Sequence, residues 1–117
     1  MRDHRKLEAF HLADGLATMV YRATRGFPRD EVFGLTAQMR RSAVSVPANI
    51  VEGCARRSER DYARFLDISF GSVREIGYFI DLAVRLNDIA GEVADELRRS
   101  QSRTAAALAA LIRTRRD

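Results

Sequence analysis

Apolar residues recur along this chain at intervals of three and four, and the two-residue alternation of a half-buried strand is absent. That period belongs to helices, so the pattern predicts an all-α protein. Four helices are expected, over residues 6–25, 30–54, 58–86 and 90–114. In the first, Phe10, Ala13, Ala17, Val20 and Thr24 share one face, flanked by Leu16 and Tyr21. His11, Asp14, Thr18, Arg22 and Arg25 lie opposite, toward water. Gly26 and Pro28 end it, glycine as a left-handed cap and proline as a residue that cannot continue the ladder. The second helix starts at Asp30 or Thr36 and puts Leu35, Met39, Ala43, Val46, Ile50 and Cys54 on one stripe. The stripe stays in phase on both sides of Pro47, which predicts one helix kinked at the proline.

The third helix opens at Ser58, with Asp61 at capping-box spacing. It runs roughly 40 Å at the α-helical rise. Tyr62, Leu66, Ser69, Val73, Ile76, Ile80 and Ala83 form its main seam. Phe65, Ile68, Phe79, Leu82 and Leu86 form a second, and Ala63, Phe70, Gly77 and Val84 a third. Only Arg60, Arg64, Asp67, Gly71, Arg74, Tyr78, Asp81 and Arg85 make a wet stripe. Such a surplus of apolar faces, Phe65, Phe70 and Phe79 included, suits either the centre of a bundle or a subunit interface. The fourth helix carries Val93, Ala94, Leu97, Thr104, Leu108, Leu111 and Ile112 on its seam. The connections near 26–30, 54–58 and 87–90 are short, and short loops between long helices make antiparallel neighbours. The expectation is an up-down-up-down four-helix bundle in a single domain, residues 1–117.

Composition narrows the function. A chain of 117 residues can build a core but has little room for a catalytic cleft plus a cofactor site. A single cysteine, Cys54, excludes an internal disulfide framework and a Cys-rich zinc site. The charged start MRDHRKLEAF is unlike a secretory signal, and no run approaches the length of a membrane span, so a cytoplasmic protein without a membrane partner is expected. Walker, dinucleotide-binding and HExxH motifs are absent. Glu8 and His11 have the spacing of a di-iron bundle, but that site needs two such motifs and two further carboxylates, so no metal or other cofactor is expected. The net charge of +4 is unevenly spread: residues 98–117 hold six arginines against one acid, Asp117, while the rest of the chain is near neutral.

Residues 27–58 carry a denser signal. Phe27-Pro28, Glu31, Phe33-Gly34-Leu35, Gln38, Arg40-Arg41, Ser45-Val46-Pro47, Asn49-Ile50, Glu52-Gly53 and Arg56 follow in fixed order, with Phe65-Leu66, Gly71-Ser72, Glu75 and residues 86–89 downstream. This pattern resembles that of the four-helix-bundle family of 23S ribosomal RNA intervening-sequence proteins, from Phe10 to Ile112. Val51, Cys54 and Ile76-Gly77 depart from it without touching the basic positions. The family's relatives are encoded within insertions of bacterial 23S rRNA genes. A similar accessory protein of diversity-generating retroelements is a pentameric barrel that binds nucleic acid and a reverse transcriptase through a basic surface. No relative has an agreed enzymatic activity. The resemblance therefore implies a non-enzymatic, oligomeric protein, pentameric by likeness, with RNA or DNA and a reverse transcriptase or other protein as partners.

Three basic groups are candidates for phosphate: Arg40 with Arg41; Arg56, Arg57, Arg60 and Arg64; and Arg98, Arg99, Arg103, Arg113, Arg115 and Arg116. Arginine suits phosphate because its planar fork donates paired hydrogen bonds. In an up-down-up-down bundle the second and third groups converge at one pole. Arg40 and Arg41 point about 100° apart, so one contacts phosphate while the other pairs with Glu52 or a neighbouring subunit, or both form ordinary salt bridges. The C-terminal arginines equally suit a helix dipole. Pro47, Asn49, Glu52 and Gly53 are architectural, Asn49 or a serine satisfying the carbonyl that the proline frees. Ser45 has neither a nucleophile-elbow setting nor a histidine partner. Few aromatics accompany the arginines, which argues for backbone binding over base stacking. The alternatives are a protein-interaction scaffold that meets an acidic partner, and a bundle-core metalloenzyme.

Overall fold

The computed structural model describes residues 2–116, with backbone alone at Arg116; Asp117 lies outside the described residues. Its helices are α1 (Glu8–Thr24), α2 (Leu35–Cys54), α3 (Glu59–Arg85) and α4 (Gly91–Arg116), with 3-10 turns at His4–Lys6 and Arg29–Glu31. No strand occurs among the described residues. Each helix packs against the next in sequence, and α1 also packs against α4, in a body of 43 × 24 × 19 Å.

The ends of the helices follow local chemistry. The Ser58 hydroxyl accepts the Asp61 N–H at 3.0 Å and starts α3 as its spacing suggested. Asn87, at φ 59°, closes the same helix: its N–H bonds the Val84 carbonyl, and the Asp88 N–H bonds that of Ala83. α1 ends differently from the expectation. No glycine among the described residues has a positive φ, and Arg25 stays right-handed while the Phe27 N–H reaches the Thr24 carbonyl at 3.1 Å. Residues 30–34 are also not part of the second helix. The Val32 N–H closes the 3-10 turn on Arg29, the Gly34 N–H bonds Glu31, and Gly34 lies outside helical geometry at φ −106°, ψ −113°. α2 then runs unbroken through Pro47.

The core is built from the stripes read in the sequence. Leu35, Met39, Ala43, Val46, Ile50 and Cys54 of α2 are buried, as is every member of the main α3 seam. On α1 the buried line is Ala9, Ala13, Leu16, Val20 and Thr24. It is centred on Leu16, so Phe10 and Ala17 are only half-buried and Tyr21 is exposed. The surplus faces of α3 are half-buried flanks of the core at Phe65, Phe70 and Phe79, whereas Ile68 and Leu86 are exposed. On α4, Ala94, Leu97, Thr104 and Leu108 are buried and Val93 is exposed.

Polar contacts also join α2 to α3 along this apolar seam. The Ser42 hydroxyl donates to Glu75 Oε1 at 3.3 Å, Ser45 and Ser72 share a 2.7 Å bond, and the Ser69 hydroxyl donates to the Val46 carbonyl at 2.7 Å. Asn49 Nδ2 donates to the Ser45 carbonyl and hydroxyl at 2.8 and 2.9 Å. The carbonyl Asn49 serves is thus that of Ser45, not that of Ala43, which is the one four residues before Pro47. Between α3 and α4, Gln101 Nε2 donates to the Val73 carbonyl at 3.0 Å. Among the described residues no helix is long and apolar enough to cross a membrane.

Candidate nucleic-acid interface

The α2–α3 turn, the N-terminal residues and the last turns of α4 meet at one end of the molecule. The Arg2 N–H donates to the Cys54 carbonyl at 3.3 Å, which lays the N-terminus across the end of α2. This places the Arg2 guanidinium 3.9 Å from the centre of the Tyr62 ring, with Nη1 donating to the Arg56 carbonyl at 3.4 Å and Nη2 paired with Glu59. Arg115 approaches from α4, 5.9 Å from the same ring, with Nη1 3.7 Å from Glu59 Oε2. A guanidinium is attracted to the face of an aromatic ring. Tyr62 therefore organises two cations supplied by opposite ends of the chain.

Phe65, one helical turn on, does the same for a second pair. Arg56 and Arg64 lie 4.9 and 4.8 Å from its ring centre. Arg56 also pairs with Glu52 at 2.9 Å. Arg57 lines a notch of about 540 Å³ with Arg2, Ala55, Arg56 and Glu59. Arg57 and Arg60 are exposed and make no side-chain hydrogen bond or ion pair among the described residues. Burial pushes the Cys54 thiol and the Tyr62 phenol above their ordinary pKa values, with Arg2 pulling the other way in both cases and Arg115 at Tyr62.

The other predicted arginines are elsewhere. Arg40 points to the end of α1, where Nε donates to the Thr24 hydroxyl at 2.8 Å, Nη2 reaches the Tyr21 carbonyl at 3.3 Å, and the group lies 4.7 Å from the Tyr21 ring centre. Arg41 is exposed and bonds Gln38 Oε1 at 3.2 Å. Neither pairs with Glu52, whose partner is Arg56. Arg98 is paired with Asp81 at 2.9 Å and Asp95 at 3.7 Å. It precedes Arg115 by seventeen residues on one helix, roughly 25 Å along the axis. Arg99 and Arg103 line an open groove between α1 and α4 with His11, Met19 and Glu96. Arg113 is exposed, and the Arg116 side chain lies outside the described residues. The C-terminal arginines therefore spread along α4, and Arg115 is the one shown to join the Arg56–Arg64 group.

Pro47 is half-buried within α2, and Gly53 is buried against Tyr62 and Phe65 of α3. A β-carbon at Gly53 would lie 3.0 Å from Phe65 Cβ and 3.3 Å from Tyr62 Cδ1. The small residue sets Tyr62 and Phe65 against α2 and so positions the rings that carry the arginines. His11 Nε2 lies 2.6 Å from the Arg5 carbonyl. No group of three or more His, Cys, Asp or Glu suited to a metal ion occurs among the described residues.

Sequence reasoning missed Arg2 and Glu59. Both lie outside the periodic stripes, and Arg2 precedes the first helix, so no pattern marked them. Tyr62 was visible only as a core position; its double role depends on two residues distant in sequence.

Residues 5–110 match a family model described as 23S rRNA-intervening sequence protein. Among solved structures, a protein of unknown function from the S23 ribosomal protein family of Bacteroides thetaiotaomicron VPI-5482 superposes with a TM-score of 0.80. It is 21% identical, with 89% of this chain and 97% of that chain covered, a likeness of fold. No curated protein matches the chain.

Proposed function

The chain belongs to the 23S rRNA-intervening sequence protein family, and from that premise we propose that it is a non-enzymatic nucleic-acid-binding or adaptor protein that takes RNA or DNA by its phosphates. The observation that carries this reading is the gathering of Arg2, Arg56, Arg64 and Arg115 around Tyr62 and Phe65. A ring face attracts a guanidinium without using its N–H groups, and a phosphate accepts from those N–H groups. In the free protein Arg2 and Arg115 spend some of theirs on Glu59, and Arg56 on Glu52. Arg57 and Arg60 extend the same surface. Binding through such a cluster is independent of base sequence and falls steeply with salt. Filter retention of labelled RNA and DNA across a salt series tests the reading. Retention at low salt that fades as salt rises supports it. No retention at low salt overturns it, leaving a scaffold whose arginines meet an acidic protein.

Contacts between α2 and α3 pair Ser42 with Glu75, Ser45 with Ser72 and Val46 with Ser69, so partner numbers fall along one helix as they rise along the other. This supports an up-down-up-down bundle in a single domain; the bend at Pro47 rests on the proline itself, which lacks a donor and crowds the preceding turn. Exposed Val44, Val51, Ile68 and Phe33 favour assembly into a ring of identical subunits, pentameric by family likeness, working in the cytoplasm with a reverse transcriptase or another protein as a further partner. Light scattering tests the assembly, and a stable 13.2 kDa monomer would refute it.

A further inference from the structure

We infer that Glu59 occupies the seat of a nucleic-acid phosphate in the free protein, and that a phosphodiester group of RNA or DNA binds by displacing its carboxylate from Arg2 and Arg115. The inference rests on the nucleic-acid reading above. Glu59 is the one acid lining the notch with Arg2, Ala55, Arg56 and Arg57. Its two oxygens are divided between guanidinium groups from the two ends of the chain: Arg2 at one, Arg115 at 3.7 Å from the other. A carboxylate and a phosphate offer the same thing to an arginine fork, two acceptor oxygens and a negative charge. The Glu59 side chain is 62% exposed, so solvent and ligand reach it and it is free to swing away.

Arg2 does not depend on Glu59 for its place. Arg2 is held by the Tyr62 ring and by the Arg56 carbonyl, and its side chain is only 23% exposed. Arg57 has no acidic partner among the described residues. Removing the carboxylate therefore leaves a preformed basic notch rather than a collapsed one. The ligand is a strand and not a free ion, because the positive surface continues up α3 at Arg60 and Arg64, one turn apart at about 6 Å. A single phosphate would leave those two groups unused. Glu59 then limits affinity: each binding event must first break its two ion pairs.

The test compares the full-length chain with E59Q and with E96Q, a charge-matched control in the α1–α4 groove. Anisotropy of a labelled mixed-sequence RNA oligonucleotide is read from about 50 to 200 mM salt. E59Q is expected to bind about three- to fivefold more tightly, the scale of one exposed ion pair, while E96Q stays close to wild type. E59D is the second variant: it keeps an acid in the first turn of α3, but one methylene shorter it cannot span both arginines, and a smaller gain is expected. The inference is overturned if neither Glu59 variant gains affinity over a wild-type protein that binds, or if E96Q gains as much as E59Q. If no variant and no wild-type protein binds at the lowest salt, the nucleic-acid reading itself falls. Inorganic phosphate is titrated against bound RNA in parallel. Displacement at millimolar phosphate overturns the assignment to a strand, and retention supports it.

Discussion

Arg40 Nε donates a 2.8 Å hydrogen bond to the hydroxyl of Thr24, joining the second turn of α2 to the last turn of α1. The Thr24 hydroxyl gives its own proton to the Val20 carbonyl at 2.8 Å, so the arginine fills its acceptor site. Arg40 also reaches the Tyr21 carbonyl, one of the groups a helix leaves unpaired at its C-terminus. A cation at that end is favoured by the helix dipole. This arginine is thus a cap for a neighbouring helix. Arg40→Ala should lower stability by about 1–3 kcal/mol, the cost of a partly buried charged hydrogen bond. Urea unfolding would measure the loss. RNA affinity of the folded variant should be unchanged, and a loss there would assign Arg40 to the binding surface instead.

Gly53 and Gly71 make a contrasting pair. A β-carbon at Gly53 meets Phe65 Cβ at 3.0 Å and the Tyr62 carbonyl oxygen at 3.4 Å, neither of which is the yielding end of a long side chain. At Gly71 nothing lies within 4 Å. Alanine gains about 1 kcal/mol over glycine in a helix interior, while overpacking costs about 1–3 kcal/mol. Gly53→Ala should therefore be destabilising by up to about 2 kcal/mol, and Gly71→Ala stabilising by about 1 kcal/mol at most. Paired thermal melts decide it, with equal shifts in one direction contradicting the packing argument.

The fold was readable where burial is periodic. The α2 stripe from Leu35 to Cys54 and the α3 seam from Tyr62 to Ala83 are both buried, because a helix must hide whichever face is apolar. Boundaries were less legible. Residues 30–34 contain no proline and look helical, yet a 3-10 turn and the backbone at Gly34 hold them out of α2. The candidate site was half visible. Arg56 and Arg64 stood out as part of a cluster, but they gather at the ring of Phe65, which read as a surplus apolar residue. Arg2 and Glu59 depend on which chain ends meet in space, and that relation has no sequence period. Arg40 was the reverse case: a basic pair looked like a ligand site, and the close approach of α1 gave it other partners.

Cys54 and Tyr62 give the protein an alkaline weakness. Burial holds the Cys54 thiol above its ordinary pKa of 9.0, and the Tyr62 phenol above 10.0. Both groups are therefore neutral in the folded chain over a range where the unfolded chain has lost their protons. The folded state then binds more protons than the unfolded one, and stability falls as pH rises. Their contribution is complete below about pH 9 and is lost as pH climbs through the raised folded values. Urea midpoints should hold steady from neutral pH to about pH 8.5 and fall beyond it. Cys54→Ala should flatten the first part of that fall and leave the part due to Tyr62. A midpoint insensitive to alkali in the wild-type chain would contradict the burial of both groups.

The sharpest contrast in binding is between Arg57 and Arg98. Arg57 is exposed at the notch beside Arg2 and has no acidic partner among the described residues. Arg98 is held by Asp81 at 2.9 Å and by Asp95 at 3.7 Å, on the part of α4 remote from that notch. Each phosphate contact releases a counterion, so losing one reduces the slope of log affinity against log salt by about 0.9 for duplex and 0.7 for single strands. Arg57→Gln should weaken RNA binding to the same extent for every sequence and make the salt slope shallower by about one contact. Arg98→Gln should leave slope and affinity alone, since its charge is already matched by two carboxylates. Both substitutions remove one positive charge, so net charge is held constant between them. Equal losses from the two would show that RNA senses only the protein's overall charge, and the pole at the α2–α3 turn would have no special part in binding.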